Sequence, residues 1–176
     1  MRSKPLCAIR FQQVREPLHF VVPDAIHRPS DAAAVVRSYL GDPDREHFVC
    51  IALNIRHEVT ALHTVSVGGL SSSPVHAREV FSFALAVHAA ALIIAHNHPS
   101  GAAEPSDDDR AVTDVLRAGG VLLGIEVLDH VVLGAPDAAR PWVSLRETGA
   151  WGSLTMSQAK GRRTVARARQ QPAYAD

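Results

Sequence analysis

From residue 94 to residue 109 the chain reads Ile-Ala-His-Asn-His-Pro-Ser-Gly-Ala-Ala-Glu-Pro-Ser-Asp-Asp-Asp. His96 and His98 stand two apart at the end of an apolar run. In an extended chain residues i and i+2 project to the same side, so both imidazoles can converge on one point. The turn at Pro99–Gly101 brings the next helix back across that strand end, and Asp109, on its first turn, can add a carboxylate there. Two neutral imidazoles and one carboxylate with a fourth position open make a catalytic rather than a structural zinc site. A simpler reading covers the same residues: Ser106-x-x-Asp109 is also a capping-box variant, and His96 and His98 could be ordinary loop histidines in a chain that has ten. All of them in one window, with an apolar strand before and a helix after, favour the metal. Asn97 points away from the two histidines and is expected to hold the loop through backbone hydrogen bonds.

These residues need elements to position them. Ala91–Ala95 is a short, fully apolar run of strand type, and His96–Glu104 follows as a loop. Ser106 starts a helix over Asp107–Ala118, closed by Gly119–Gly120, and Val121–Leu133 reads as one or two strands ending at Gly134. Upstream, Leu18–Val22 reads as a strand ended by Pro23. Ser30 is the expected N-cap of a helix over Ala32–Leu40 that stops at Gly41. His47–Ile55 and Val59–Val67 read as hairpin-linked strands. Gly68–Pro74 is a loop, with Pro74 suited to a first helical position. The helix after it, Arg78–Ala90, has Val80, Phe83, Ala84 and Val87 on one face. The order β, α, β, β, α, β, α, β predicts an α/β fold, a mixed β-sheet flanked by helices. The expected organisation is a segment over 1–29, a domain over 30–146 and a loosely held tail over 147–176.

Length and composition set bounds. The chain has 176 residues, 47 % apolar and 20 % charged, which excludes wholesale disorder. Basic and acidic residues balance at 18 each. They are unevenly spread: from Trp151 onward there are five basic residues and one acid, which leaves the body mildly acidic. That is not the composition of a nucleic-acid-binding domain. Two cysteines, Cys7 and Cys50, make no disulfide framework, and Cys50 lies in an apolar run where it reads as a buried small hydrophobe. No segment has signal-peptide character and no apolar run reaches the roughly 18 residues of a membrane span. The expectation is a soluble, cytoplasmic protein with no membrane partner.

The segment His96–Asp109, with His-Asn-His-Pro-Ser-Gly intact, resembles the JAMM motif of the JAB/MPN metallopeptidases. More narrowly it resembles the bacterial RadC-type (UPF0758) branch, as does Leu123–Gly134. The resemblance covers roughly Ser30–Gly134. It implies a JAB/MPN, cytidine-deaminase-like architecture and a Zn2+ cofactor on His96, His98 and Asp109. It also implies hydrolysis of an amide bond in a peptide or protein conjugate by a metal-activated water. The family uses an upstream glutamate as general base. Glu46, just before the first central strand, occupies the corresponding place. Glu58 and Glu79 compete, though they are more simply an exposed hairpin residue and a first-turn helix acid, and Glu46 without that role is a solvated loop acid. Ser106 is placed to donate a hydrogen bond to the developing oxyanion. Asp129–His130 is a hallmark of the branch; by sequence alone it is equally a strand-end pair with satisfied polar groups, and His130 is not counted as a ligand. RadC-type proteins usually carry an N-terminal helix-hairpin-helix region, where this chain has a short, different segment and looks like a truncated relative. Ala77 also stands where the family often has proline.

A reading from another class stays open: a nucleic-acid-associated RadC-like accessory protein without protease activity, with Arg162, Arg163, Arg167 and Arg169 touching nucleic acid. An idle, solvated tail explains five basic residues more simply. A metal-free scaffold would not need His96, His98, Ser106 and Asp109 together.

Overall fold

The computed structural model describes residues 23–68, 75–149 and 151. In chain order they form α1 (Pro29–Leu40), β1 (His47–Leu53), β2 (Val59–Val67), α2 (Ala77–Ala86), β3 (Ala91–Asn97), α3 (Asp107–Leu123), β4 (Glu126–Leu133) and β5 (Trp142–Ser144). The five strands make one sheet in the order β2-β1-β3-β4-β5. Strands β3 and β4 run parallel, joined through α3, and the other neighbours are antiparallel. The expected mixed α/β sheet is therefore present. The Leu18–Val22 strand, Cys7, the basic residues of the tail and most of the Gly68–Pro74 loop lie outside the described residues.

Side-chain alternation along the strands divides the core in two. Val49, Ile51 and Leu53 of β1 and Ile93 and Ala95 of β3 meet Ala32, Ala33, Val35 and Val36 of α1 on one face. Phe48, Cys50, Ala52, Leu92 and Ile94 meet Val80, Phe81 and Ala84 of α2 and Leu116 of α3 on the other. Cys50 is fully buried, as its apolar run predicts, and burial pushes its thiol pKa far up. The central strands β1 and β3 are near-continuously apolar because helices cover both faces.

Several element boundaries differ from the sequence reading. Helix α1 begins at Pro29, not after a Ser30 cap. Pro29 needs no partner for an N–H it lacks, and the Asp31 carboxylate accepts from the amides of His27 and Arg28, at 3.1 and 3.2 Å. Helix α2 ends at Ala86, short of Ala90. Its buried aromatic is Phe81, whereas Phe83 stacks at the rim on His63 of β2, ring centroids 5.0 Å apart. Helix α3 does not stop at Gly119–Gly120 but runs to Leu123 and caps at Gly124, in the left-handed region at φ 70°. The two glycines serve close approach: a Cβ on Gly119 would lie 2.7 Å from the Phe81 ring, and one on Gly120 would strike the Ile125 carbonyl. Residues 121–123, expected as strand, are the last turn of this helix, and β5 was not anticipated.

Strand β4 carries the irregularity that matters most for the site. Leu92 pairs with Val127 and Ile93 with Asp129, so Leu128 is an extra residue. This bulge reverses the alternation. Val127 packs on the α2/α3 face. After the bulge, Val131 and Leu133 pack on the α1 face, and His130 returns to the α2/α3 face opposite Ile94.

Candidate metal centre

Strand β3 is longer than expected and includes His96 and Asn97. His96 is fully buried near its end, and His98 follows just past that end with its side chain 19 % exposed. The Pro99–Gly101 turn is closed by the Gly101 amide bonding to the His98 carbonyl, at 2.9 Å. It returns the chain to Ser106, the N-cap of α3, and Asp109 follows in the first turn.

The three side chains converge. His96 Nε2 and His98 Nε2 are 2.9 Å apart. Asp109 Oδ1 lies 3.1 Å from His96 Nε2, and Oδ2 lies 3.5 Å from His98 Nε2. One ligand atom from each lies within 4.8 Å of the others, a grouping that could hold a metal ion. The donor chemistry fits. His98 Nδ1 is 2.7 Å from the Ala102 carbonyl, which can only accept, so Nδ1 carries the hydrogen and Nε2 of the neutral ring is a bare lone pair. A second ring nitrogen and a carboxylate face that lone pair, and such a cluster is satisfied by a cation: a shared proton, or a divalent metal. The charges respond accordingly. The hydrogen bond with Asp109 raises the His98 pKa. Burial pushes the Asp109 carboxyl upward, but the ring nitrogens of His96 and His98 outweigh it and hold the carboxyl far below the usual carboxylate range.

Ser106 touches the same carboxylate three ways. Its Oγ accepts from the Asp109 amide at 3.1 Å, its Oγ–H donates to Asp109 Oδ2 at 2.6 Å, and its own amide donates to Oδ2 at 2.7 Å. The expected capping box is therefore present, and it leaves Asp109 Oδ1 facing His96 Nε2. The single hydroxyl hydrogen of Ser106 is directed at Asp109 Oδ2.

The three glutamates are separated by the fold. Glu46 immediately precedes β1. Phe48 pairs with His96, which sets Glu46 at the same sheet end as His98. Its charge is among those that raise the His98 pKa. Glu58 sits at the opposite end of β1, bonded to Asn54 Nδ2 at 2.6 Å and to Arg56 at 2.9 Å. Glu79 lies in the first turn of α2, paired with its neighbour Arg78 at 3.1 Å. Asn97 turns to the opposite face, as expected, and bonds to the backbone of residues 45 and 47.

A second layer backs the cluster, and the sequence reading assigned it no role. His130 is fully buried in the middle of β4, not at a strand end, and its Nε2 is 2.8 Å from His96 Nδ1. Thr113 of α3 lies 2.5 Å from His130 Nδ1. The Phe48 ring lies nearly parallel to His96, at a 6.1 Å centroid distance, and edge-on to His130. Asp129, on the far side of the bulge, accepts from Ser144 Oγ at 2.7 Å and from the amides of His130 and Arg146. Burial raises the Asp129 pKa and drives that of His130 well below its ordinary value. Only the resemblance drew notice to Asp129 and His130, and nothing in the local sequence singles out Thr113. Among the described residues, no helix is long and apolar enough to cross a membrane.

Comparison with known proteins shows sequence relatives. A family profile described as the RadC-like JAB domain matches residues 26–150. A UPF0758 protein of Rubrobacter xylanophilus is 50 % identical over 109 residues, covering 62 % of this chain and 48 % of that protein. One from Bacillus licheniformis is 46 % identical over 124 residues, 70 % and 54 % of the two chains. One from Shouchella clausii is 41 % identical over 135 residues, 77 % and 57 %. The chain spans about half the length of the curated relatives it matches.

Proposed function

The chain belongs to the family of RadC-like JAB domains, and from that premise we propose that it is a zinc-dependent hydrolase that cleaves an amide bond, as a peptidase or isopeptidase. The observation that carries the reading is the convergence of His96 Nε2, His98 Nε2 and the Asp109 carboxylate at the sheet end where Glu46 stands. Zinc held by these three residues would supply Lewis acidity and make water a nucleophile near neutral pH.

The chain's own residues do the rest. His96 and His98 offer lone pairs from the strand end, and Asp109 supplies the anionic ligand from the start of α3. Glu46 accepts a proton from the attacking water and returns it to the leaving amine, so that carboxylic acid and amine are the products. Ser106 holds the Asp109 carboxylate in place and caps α3. Phe48 is buried against the His96 ring and shields that side of it from water.

The test begins with the metal content of purified protein and its hydrolysis of quenched fluorescent peptides and an isopeptide-linked conjugate. We expect about one zinc per chain, as a three-ligand site requires. Glu46→Gln should keep the zinc and lower hydrolysis by at least about a hundredfold. Loss of zinc from this variant would make Glu46 a ligand. A zinc-loaded wild type that cleaves neither substrate class counts against the hydrolase reading.

A further inference from the structure

We propose that His130 and Thr113 are positioning residues that fix which nitrogen of His96 is offered to the metal, and that they tie His96 to Asp109 through a one-directional chain of hydrogen bonds. The inference rests on the metal-site reading above and concerns residues that touch no metal in it.

The chain starts at a group with no choice. The Asp109 carbonyl can only accept, and Thr113 Oγ1 lies 2.5 Å from it. The single hydroxyl hydrogen of Thr113 must point there, because otherwise two oxygens would meet lone pair to lone pair. Thr113 Oγ1 can then only accept from His130 Nδ1, so the hydrogen of the His130 ring is on Nδ1. His130 is completely buried, and its two ring nitrogens face Thr113 Oγ1 and His96 Nδ1, neither of them a carboxylate, conditions that favour the neutral imidazole with one hydrogen. Its Nε2 is therefore an acceptor, and His96 Nδ1 donates to it across 2.8 Å. Neutral His96 is left with a bare Nε2 facing His98 and Asp109, the form a metal needs.

Reversing any one bond reverses the outcome. If His130 carried its hydrogen on Nε2, His96 Nδ1 would have to accept it, and the His96 hydrogen would move to Nε2, where it would block the ligand position. Thr113 is thus the residue that sets the direction. The fold supplies this arrangement through the extra residue Leu128, which turns His130 onto the α2/α3 face, and through α3, which presents Asp109 and Thr113 one turn apart.

Two readouts test it. The first is zinc affinity, measured by competition with a chromophoric chelator for wild type, Thr113→Ser and Thr113→Val. Serine keeps the hydroxyl and should stay within about twofold of wild type, whereas valine keeps the shape and should weaken zinc by about 10–100-fold, the usual cost of losing a group that orients a ligand. A folded Thr113→Val protein that binds zinc as tightly as wild type overturns the proposal. So does a Thr113→Ser protein weakened as much as the valine variant, since that would make the effect one of packing. The second readout is the ring-nitrogen NMR spectrum of the metal-free wild type, which needs no variant to fold. Hydrogens on Nδ1 of both His96 and His130 are expected, and a hydrogen on Nε2 of His130 overturns the chain. If wild type takes up no zinc, the metal-site reading fails, and the NMR tautomers still decide whether the chain runs as stated.

Discussion

Asn97 grips the backbone on both sides of Glu46. Its Nδ2 donates to the Arg45 carbonyl at 2.8 Å, and its Oδ1 accepts from the His47 amide at 2.9 Å. It lies between His96 and His98 in sequence, yet on the opposite face. One strand residue therefore couples the height of the proposed metal ligands to the start of β1, where the proposed base stands. Replacing Asn97 with Ala removes both bonds. The expected cost is about 1–3 kcal/mol of stability in a urea titration, because a half-buried amide and carbonyl lose their partner. Zinc should remain, and hydrolysis should fall by more than about tenfold, since a misplacement of about 1 Å can cost a hundredfold. A variant that loses stability but keeps its rate would leave Asn97 with a structural role alone.

Metal removal should be visible as stability. A ligand that binds only the folded chain stabilises it by RT ln(1 + [L]/Kd), about 2.7 kcal/mol at a hundred times Kd. Wild type stripped by chelator should regain that increment when zinc is restored, read as a rise in thermal midpoint. His98→Ala and Asp109→Ala should fold, since neither side chain belongs to the apolar core, and should gain nothing from zinc. An equal zinc-dependent rise in these variants would place the metal elsewhere on the chain.

The His96, His98 and Asp109 set was legible because each step is local: period-two alternation on one strand, a short turn, and the first turn of the next helix. The second layer was not. Thr113 and His130 are 17 residues apart and meet where α3 packs on β4, and His130 reaches His96, 34 residues earlier, through the parallel β3–β4 pairing. His130 faces the site because of one extra residue in β4. Counted from Val127 without the bulge at Leu128, strict alternation would send Asp129 to the α2/α3 face and His130 to the α1 face. A bulge leaves no mark in the apolar pattern, so the residues alone allow Asp129–His130 to be read as a strand-end pair with satisfied polar groups.

Helix α3 shows the same limit from another side. Gly119–Gly120 carries the composition of a helix stop, yet the helix continues to Leu123, and the glycines stand there because Phe81 and the Ile125 carbonyl leave no room for a Cβ. This predicts an unusual response to substitution. In an exposed helix Gly→Ala stabilises by up to about 1 kcal/mol. Here Gly120→Ala should destabilise by about 1–3 kcal/mol, since the added methyl meets backbone that cannot yield without shifting the helix end. Gly119→Ala should cost less, because the Phe81 ring can turn aside. Chemical denaturation of both variants checks the order, and a stabilised Gly120→Ala would mean the helix end is looser than described.

Ser106 is where two roles for one hydrogen can be separated. As the chain is arranged, the hydroxyl accepts from the Asp109 amide and donates to Asp109 Oδ2. Ser106→Ala should therefore remove a cap worth about 1 kcal/mol. It should also loosen the carboxylate and weaken zinc by about tenfold. If orientation of Asp109 is the whole of its role, saturating zinc should restore the hydrolytic rate of Ser106→Ala, because the ligand geometry is recovered once the metal is bound. If the hydroxyl instead turns to the developing oxyanion during reaction, the rate at saturating zinc should stay about 10²–10³-fold low. A zinc titration of the rate for the alanine variant decides between them. The present geometry favours recovery, because the one hydrogen is already held by a ligand oxygen 2.6 Å away.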